Sequence, residues 1–168
     1  WSSVPSEHLY SYRPKEISKV AGVHEDQITC AAHVVCPTGL TTYKAMIATG
    51  SRDSFVKIWQ RDFSQKVAEI EANRPWKIVQ TLTGHRDWVN CVSSLSAGAV
   101  GDHLTPIFVS GSRDRSLRLW KPKIGEESKW ECAALFEGSE TGDEGKGHRD
   151  FVNCCDLIES EGSIWLAS

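Results

Sequence analysis

The stretch that decides the fold reads Gly84-His85-Arg86-Asp87-Trp88-Val89-Asn90-Cys91, and its pattern continues to Trp120. His85 is followed by Ser110 after 25 residues, by Asp114 after 29 and by Trp120 after 35. The same three separations recur upstream in His24, Thr49, Asp53 and Trp59. Shared spacing of this kind indicates an internal repeat, in which each residue must be interpreted by its place in the unit.

A third copy begins at Gly147-His148-Arg149-Asp150-Phe151-Val152-Asn153-Cys154, and the sequence stops at Ser168 before that unit is complete. The histidines that open the copies are 61 and 63 residues apart. A repeat unit built from four short strands commonly takes about 40–45 residues. We therefore predict insertions, which fall at predicted connections: 36–44, 60–75, 96–106 and 137–147.

Short strand-like segments with turn residues between them fill each unit, and no segment shows a convincing helical period. The first unit has predicted strands at 28–35, 45–49, 55–60 and 76–82, with a tight turn at 50–54. The second has them at 88–95, 107–110, 116–121 and 130–136, with a turn at 111–115. The third has them at 151–158 and 164–167. In the fourth predicted strand of the first unit, alternation places four residues on one face: Trp76, Ile78, Gln80 and Leu82. Four short strands per unit are typical of a propeller blade.

The composition is that of a globular domain: of 168 residues, 40% are hydrophobic and 24% are charged. No apolar run approaches the roughly 18 residues that a membrane span needs, and no secretory signal is visible. We therefore expect an intracellular protein, cytoplasmic or nuclear. The net charge of −3 argues against non-specific nucleic-acid binding, which usually requires a basic domain.

Six cysteines are present, and three of them, Cys30, Cys91 and Cys154, occupy the same place in the three copies. That placement puts them in separate units, too far apart to form disulfides. Cys154 and Cys155 are adjacent and would point to opposite faces of a strand. No Cys-x-x-Cys pair exists, which argues against a zinc site. The cysteines are interpreted as small core residues of a reducing compartment, with free reactive thiols as the alternative.

These residues resemble the WD40 repeat family, over about 17–168. In the second copy the matching motifs are Gly84-His85, Ser110-Gly111-Ser112-Arg113-Asp114 and Leu117-Arg118-Leu119-Trp120. In the first copy they are His24, Thr49-Gly50-Ser51-Arg52-Asp53 and Val56-Lys57-Ile58-Trp59. The departures are mild and weaken the first copy slightly: Trp59-Gln60 and Trp120-Lys121 replace Trp-Asp, Val23 replaces Gly, and Phe55 replaces a hydroxyl residue.

The resemblance implies an all-β, WD40-type propeller that is incomplete. Its expected parts are a lead-in at 1–14, the outer strand of the closing blade at 15–22, a blade at 23–82, a blade at 83–146 and half a blade at 147–168. Because a propeller closes by joining its first and last blades, we expect further blades from the same or another chain.

The resemblance also implies hydrogen-bonded structural tetrads. Their members are His24, Thr49, Asp53 and Trp59, then His85, Ser110, Asp114 and Trp120, with His148 and Ser168 as the start of a third. Serine, histidine and aspartate are also the residue types of a hydrolase triad. The first copy carries Thr49 in the serine position, however, and a repeated fold needs its stabilising network once per repeat. No Gly-x-Ser-x-Gly elbow or phosphate-binding loop occurs. We therefore predict no enzyme activity, no cofactor and no metal.

Function is expected at the rim formed by the loop before the first strand of each unit and the turn between its second and third strands. This rim carries arginines and exposed aromatics, a composition suited to protein interaction or to capture of acidic groups. The candidate partner-binding residues are Arg52, Arg86, Trp88, Arg113, Arg115, Arg149 and Phe151. Alternatively, Trp88 and Phe151 only pack against neighbouring units, while the arginines pair with Asp87, Asp114 and Asp150.

The sequence leaves three functions open. The first is a protein-interaction scaffold within a multi-subunit assembly, whose partners are other proteins and the remaining blades. The second is a receptor for a substrate or a phosphorylated motif, of the ubiquitin-ligase adaptor type. The third is a nucleic-acid or phosphoinositide binder that uses the arginine rim. The family and the negative net charge favour the scaffold.

Overall fold

All the regular structure described is β-structure. The computed structural model describes residues 23–37, 43–61, 76–95, 106–138, 147–160 and 163–168. The predicted lead-in at 1–14 and outer strand at 15–22 lie outside these ranges, as do most residues of the four predicted insertions. The strands are β1 (Ile28–Pro37), β2 (Tyr43–Ser51), β3 (Val56–Arg61), β4 (Trp76–Leu82), β5 (Val89–Ser94), β6 (Phe108–Ser112), β7 (Leu117–Lys123), β8 (Glu126–Phe136), β9 (Asp156–Ser160) and β10 (Ser163–Ala167).

The strands form three antiparallel sheets that follow the chain in order. Sheet 1 contains β1-β2-β3-β4, sheet 2 contains β5-β6-β7-β8, and sheet 3 is the pair β9 and β10. Each strand pairs with its successor within the sheet. The predicted all-β class, with four short strands in each of the first two units, is confirmed.

Two strand boundaries differ from the prediction. β8 begins at Glu126, four residues before the predicted start, because Ile124 and Gly125 form a tight turn and Gly125 adopts a φ of 83°. The first strand of the third unit begins at Asp156 instead of residue 151. Upstream of it, the Val152 amide donates to the Ser112 carbonyl of sheet 2, 3.0 Å away. That segment is therefore bonded to the preceding sheet instead of to its own.

A β-bulge overturns the predicted face of the fourth strand. The pairing of β3 with β4 shifts between Ile58 and Trp59, and Val79 is the extra residue. Because one inserted residue exchanges the two faces of a strand, Val79 packs against the core while Ile78 is 38% exposed. The prediction that Trp76, Ile78, Gln80 and Leu82 share one face is therefore wrong. β7 and β8 repeat the shift between Leu119 and Trp120.

The core lies between the sheets as well as within them. One apolar cluster joins sheets 1 and 2, with Ile58 and Val34 from the first and Phe108 and Trp130 from the second. A second cluster joins sheets 2 and 3 and is formed by Cys91, Ile107, Val109, Leu117, Val152 and Leu157. Each sheet therefore buries its apolar face against the next one, as stacked repeat units do.

The cysteines divide between interior and surface. Cys91 is buried and Cys30, Cys36 and Cys155 are half-buried, but Cys132 and Cys154 are exposed. The core prediction is wrong for those two because Cys132 lies on the outer strand of sheet 2 and Cys154 precedes β9.

A thiol contact between Cys91 and Cys155, a pair that the repeat spacing did not indicate, joins the second and third units. Cys155 hydrogen-bonds Cys91 across sheets 2 and 3, and this bond, together with burial, raises the pKa of Cys155. Because a raised pKa keeps a thiol protonated, Cys155 is not an activated nucleophile. The alternative of reactive thiols gains no support at this position.

Candidate functional site

Two buried serines hold the tight turns against the loops that precede β1 and β5. Ser112 Oγ donates to the Asp87 carbonyl (3.1 Å) and accepts from the Asp114 amide (3.0 Å). Ser51 makes the same two bonds, to Asp26 (3.2 Å) and from Asp53 (3.1 Å). The residues that directly follow Asp53 and Asp114, which are Ser54 and Arg115, both have a φ of 70°.

In sheet 1, the structure brings together the four residues of the first proposed tetrad. His24 Nδ1 lies 2.7 Å from Asp53 Oδ2, and His24 Nε2 lies 2.9 Å from Thr49 Oγ1. The Trp59 indole donates to Thr49 Oγ1 over 2.8 Å. Only one direction of donation satisfies every group: indole to threonine, threonine to Nε2, and Nδ1–H to the carboxylate. The histidine side chain is 1% exposed, so the chain of bonds is internal.

Sheet 2 repeats this arrangement. His85 Nδ1 lies 3.0 Å from Asp114 Oδ2 and His85 Nε2 lies 2.8 Å from Ser110 Oγ. The Trp120 indole donates to Ser110 Oγ over 2.9 Å. Ser116 adds a bond that sheet 1 lacks, because its hydroxyl donates to Asp114 Oδ1 over 2.6 Å. Phe55 stands at the corresponding place in sheet 1, so the network there is smaller by one hydroxyl.

Both aspartates have lowered pKa values. Burial alone would raise the pKa of Asp114, but hydrogen bonds from His85, Ser116 and the Arg86 amide outweigh it and hold the pKa well below its ordinary value. At Asp53, burial is likewise outweighed, here by bonds from the Phe55 amide, His24 and the Glu25 amide, so its pKa is also lowered. Both carboxylates are therefore ionised acceptors at neutral pH.

The third unit contains the first half of such a network. His148 Nε2 lies 2.7 Å from Ser168 Oγ. His148 is half-buried and Ser168 is exposed. The pair thus has the geometry of the buried bond between His85 and Ser110 in a more open setting.

A cation on the third strand of sheets 1 and 2 reaches the carbonyl just before the histidine, a contact that was not predicted from the sequence. Arg118 Nη2 donates to the Gly84 carbonyl over 2.9 Å. Lys57 Nζ donates to the Val23 carbonyl. The signal was available, since both cations follow the histidine by 33 residues. An arginine and a lysine at one repeat position nevertheless look like ordinary surface residues.

At the rim, arginines and aromatic rings alternate across all three sheets. The Arg52 guanidinium lies 4.2 Å from the centroid of the Trp88 ring. Arg113 lies 4.7 Å from that ring and 4.6 Å from the Phe151 ring. These four residues, Arg52, Trp88, Arg113 and Phe151, are called the stacked rim below. The alternative in which Trp88 and Phe151 pack against neighbouring units describes part of this geometry. Each ring contacts an arginine of the preceding unit, Arg52 for Trp88 and Arg113 for Phe151.

The other rim arginines are arranged differently. Arg86 has an 81% exposed side chain and lies 3.9 Å from Glu137. Arg149 is exposed and Arg115 is half-buried. The proposed pairing of Arg113 with Asp87 is present as a long contact of 3.8 Å between half-exposed groups. An ion pair of that length and exposure contributes little to stability.

The serine–histidine–aspartate set has the geometry of a structural network. Ser110 is 0% exposed and its oxygen already accepts the Trp120 indole N–H. A nucleophile must be open to its substrate, and this hydroxyl is closed off. Within the described ranges no group of three or more His, Cys, Asp or Glu side chains is placed to hold a metal ion. The same residues contain no helix long and apolar enough to cross a bilayer.

The sequence profile of the family described as WD domain, G-beta repeat matches residues 16–60 and 76–121, which together make up more than half of the chain. The chain belongs to the WD40 repeat family. Sheets 1 and 2 are accordingly its WD40 blades and are called blade 1 and blade 2 below.

Relatives with assigned names match parts of these blades. The chain is 27% identical to protein transport protein SEC13 of Chaetomium globosum, over 59% of this chain and 30% of that protein. It is 33% identical to small ribosomal subunit protein RACK1 of Caenorhabditis elegans, over 60% of this chain and 29% of that protein. It is 29% identical to nuclear distribution protein PAC1 of Candida glabrata, over 70% of this chain and 21% of that protein. The chain thus spans less than a third of each relative it matches.

Proposed function

We propose that this WD40 segment is a non-catalytic protein-interaction scaffold, a subunit or domain of a multi-subunit assembly. The observation that carries the proposal is the stacked rim. Arginine and large aromatics are the residue types most enriched at the energetic centres of protein interfaces. Here they form one continuous surface of Arg52, Trp88, Arg113 and Phe151.

Stacking prepares this surface for binding. A guanidinium lying over a ring has its flat face covered, while its N–H groups remain directed outward along its edge. Holding the side chain in place before binding reduces the rotamer entropy that the interface must otherwise lose. Arg52 is exposed and Phe151 is 44% exposed, so both ends of the surface are open to a partner. The fitting partner is a protein surface that presents carboxylates beside apolar groups.

The comparisons support a role in assemblies, since one relative is by name a small ribosomal subunit protein. Six free cysteines suit a reducing compartment, so we place the protein inside the cell, in the cytoplasm or the nucleus. Binding of nucleic acid is disfavoured by the net charge of −3.

The test is affinity capture from cells with the natural full-length protein and three variants. Arg52→Gln/Arg113→Gln removes both charges, and Arg52→Lys/Arg113→Lys keeps the charges but removes the flat bidentate group. Lys123→Gln/Lys129→Gln is the matched control, because it removes two cations at the opposite end of the strands, around the Ile124–Gly125 turn. All four proteins are first compared by thermal melting.

We expect both arginine variants to lose the stoichiometric partner at least about tenfold, as hot-spot residues do, while the lysine control retains it. Equal capture by the doubly glutamine-substituted protein would place partner binding elsewhere. Loss of binding in the control as well would indicate a general charge effect instead of a rim contact.

A further inference from the structure

Blade 2 contains a small polar cleft beside the stacked rim. It has a volume of about 140 Å³ and is lined by Arg86, Arg115, Arg118, Ser116, Glu137 and Asp114, with Gly138 at its edge. Three of these side chains are arginines that come from separate elements: the loop before β5, the turn after β6 and strand β7. Such convergence of guanidinium groups is the arrangement that proteins use to capture oxyanions.

The positive charge of Arg118 has no anionic partner among the described residues. Its Nη2 donates to the Gly84 carbonyl (2.9 Å) and its Nη1 approaches Cys132 Sγ (3.8 Å). Its Nε is shielded from solvent and has no hydrogen-bond acceptor. Both acceptors are neutral, so they satisfy hydrogen-bond donors of the guanidinium but do not neutralise its positive charge. A buried polar group left unsatisfied is costly, and an anion in the cleft would offset that cost.

Neither of the two carboxylates that line the cleft, Asp114 and Glu137, forms an ion pair with Arg118 among the described residues. Asp114 is already occupied by the tetrad, where it accepts from His85, Ser116 and the Arg86 amide. Glu137 is 59% exposed and its carboxylate lies 3.9 Å from Arg86, a distance at which solvent screens most of the attraction. Glu137 can therefore move aside for a ligand with little loss.

The three arginines of the cleft occur together in blade 2 and not in blade 1. At the positions of Arg86, Arg115 and Arg118, blade 1 carries Glu25, Ser54 and Lys57. Blade 1 nevertheless forms the same four-stranded sheet and the same network around His24. The three arginines are therefore not required by the fold.

We infer that this cleft binds a single phosphate group. The volume of the cleft, about 140 Å³, is large enough for one phosphate group. Arg86 would bind phosphate oxygens through its N–H edge, while Arg115 and Arg118 add positive charge to the lining. The phosphate can come from free inorganic phosphate or from a phosphorylated side chain. The inference does not depend on the partner-binding role of the stacked rim.

The experiment titrates inorganic phosphate into the natural full-length protein and follows the arginine Nε–H signals by NMR. We expect saturable shifts in a few of these signals. Arg86→Gln/Arg115→Gly should weaken phosphate binding at least about tenfold, since it removes two charged donors. Glycine is chosen at 115 because it accepts the φ of 70° without strain.

Arg149→Gln is the matched control, because Arg149 holds the position of Arg86 in the next unit and does not line the cleft. Its affinity for phosphate should stay within about twofold of the natural protein. Unchanged affinity in the Arg86/Arg115 variant, or absence of saturation in the natural protein, would overturn the inference.

A second arm distinguishes the sources of phosphate. N-acetyl-phosphoserine-N-methylamide is titrated beside inorganic phosphate, with the unphosphorylated serine compound as reference. Tighter binding of the phosphoserine compound assigns the cleft to phosphorylated side chains, and tighter binding of the free ion assigns it to inorganic phosphate. Partner capture through the stacked rim is measured separately with the Arg52 and Arg113 variants, so either proposal can fail while the other stands.

Discussion

The indole Nε1 of Trp120 lies 2.9 Å from Oγ of Ser110, in a part of blade 2 where serine is 0% exposed and tryptophan 3%. Through this contact the third strand of the blade is joined to the second, and through His85 the second is joined to the loop before the first. The corresponding contact in blade 1, between Trp59 and Thr49, measures 2.8 Å. One hydroxyl in each blade thus connects three segments of chain.

Removing the indole N–H should destabilise blade 2. We expect Trp120→Phe to lower the free energy of unfolding by about 1–3 kcal/mol, because Ser110 Oγ loses a buried donor. Denaturant titration measures the change. Trp165→Phe is the control, since Trp165 is 63% exposed, and its effect should be near zero.

The loss of ring volume must be separated from the loss of the bond. A double-mutant cycle with Ser110→Ala does so, because Trp120→Phe should cost less once the hydroxyl is gone. Strict additivity of the two substitutions would argue that the bond contributes nothing.

Acid should weaken the blades through Asp53 and Asp114. Their pKa values are lower in the folded protein than the ordinary value of about 3.9. The unfolded chain therefore takes up protons first, and the stability that these groups contribute is complete above pH 4–5 and is lost as the pH falls further. Comparing denaturation midpoints of the natural protein and Asp114→Asn tests this. The difference between the two denaturation midpoints should narrow as the pH falls from about 5 to about 3. A constant difference would contradict the lowered pKa of Asp114.

Gly111 should not tolerate a side chain. A Cβ at this position would lie 2.6 Å from both Cys91 Sγ and Val152 Cγ1, atoms of the interior between blade 2 and sheet 3. We expect Gly111→Ala to cost about 1–3 kcal/mol through overpacking, measured by denaturant titration.

Shortening the facing side chain provides the control for the glycine substitution. Val152→Ala makes room, so the double variant Gly111→Ala/Val152→Ala should be more stable than the sum of the two single changes predicts. Gly50 repeats the geometry between blades 1 and 2, with Cys30 Sγ and Val89 Cγ1 each 2.6 Å from the added Cβ. Gly50→Ala should behave in the same way.

The stacking of Arg113 on Phe151 should be measurable without any partner. A cycle of Arg113→Met and Phe151→Leu is expected to show a coupling of about 0.5–1 kcal/mol, the usual size of an exposed cation–π contact. The same cycle with Arg86→Met should give no coupling, because Arg86 contacts no ring among the described residues. Equal coupling in both cycles would mean that the contact reflects general charge and not stacking.

Strand existence and the spacing of the tetrad residues followed from the sequence. β4 runs from Trp76 to Leu82 as predicted, because the alternation and the turn residues that bound it are local properties of the backbone. Which side chains face inward did not follow, since the bulge at Val79 depends on pairing with β3. The contacts of Arg118 and the thiol pair of Cys91 and Cys155 were likewise missed.

By itself, the amino-acid sequence determined the repeat, the all-β class and the residues that recur in each unit, because periodic spacing imposes the same local backbone wherever it recurs. Only the tertiary structure decided which side chains of those units contact one another. It placed Arg113 between Trp88 and Phe151 and gathered Arg86, Arg115 and Arg118 around one cleft. These contacts join residues from different strands and units, so they depend on how the sheets pack, and no pattern along the chain encodes that packing.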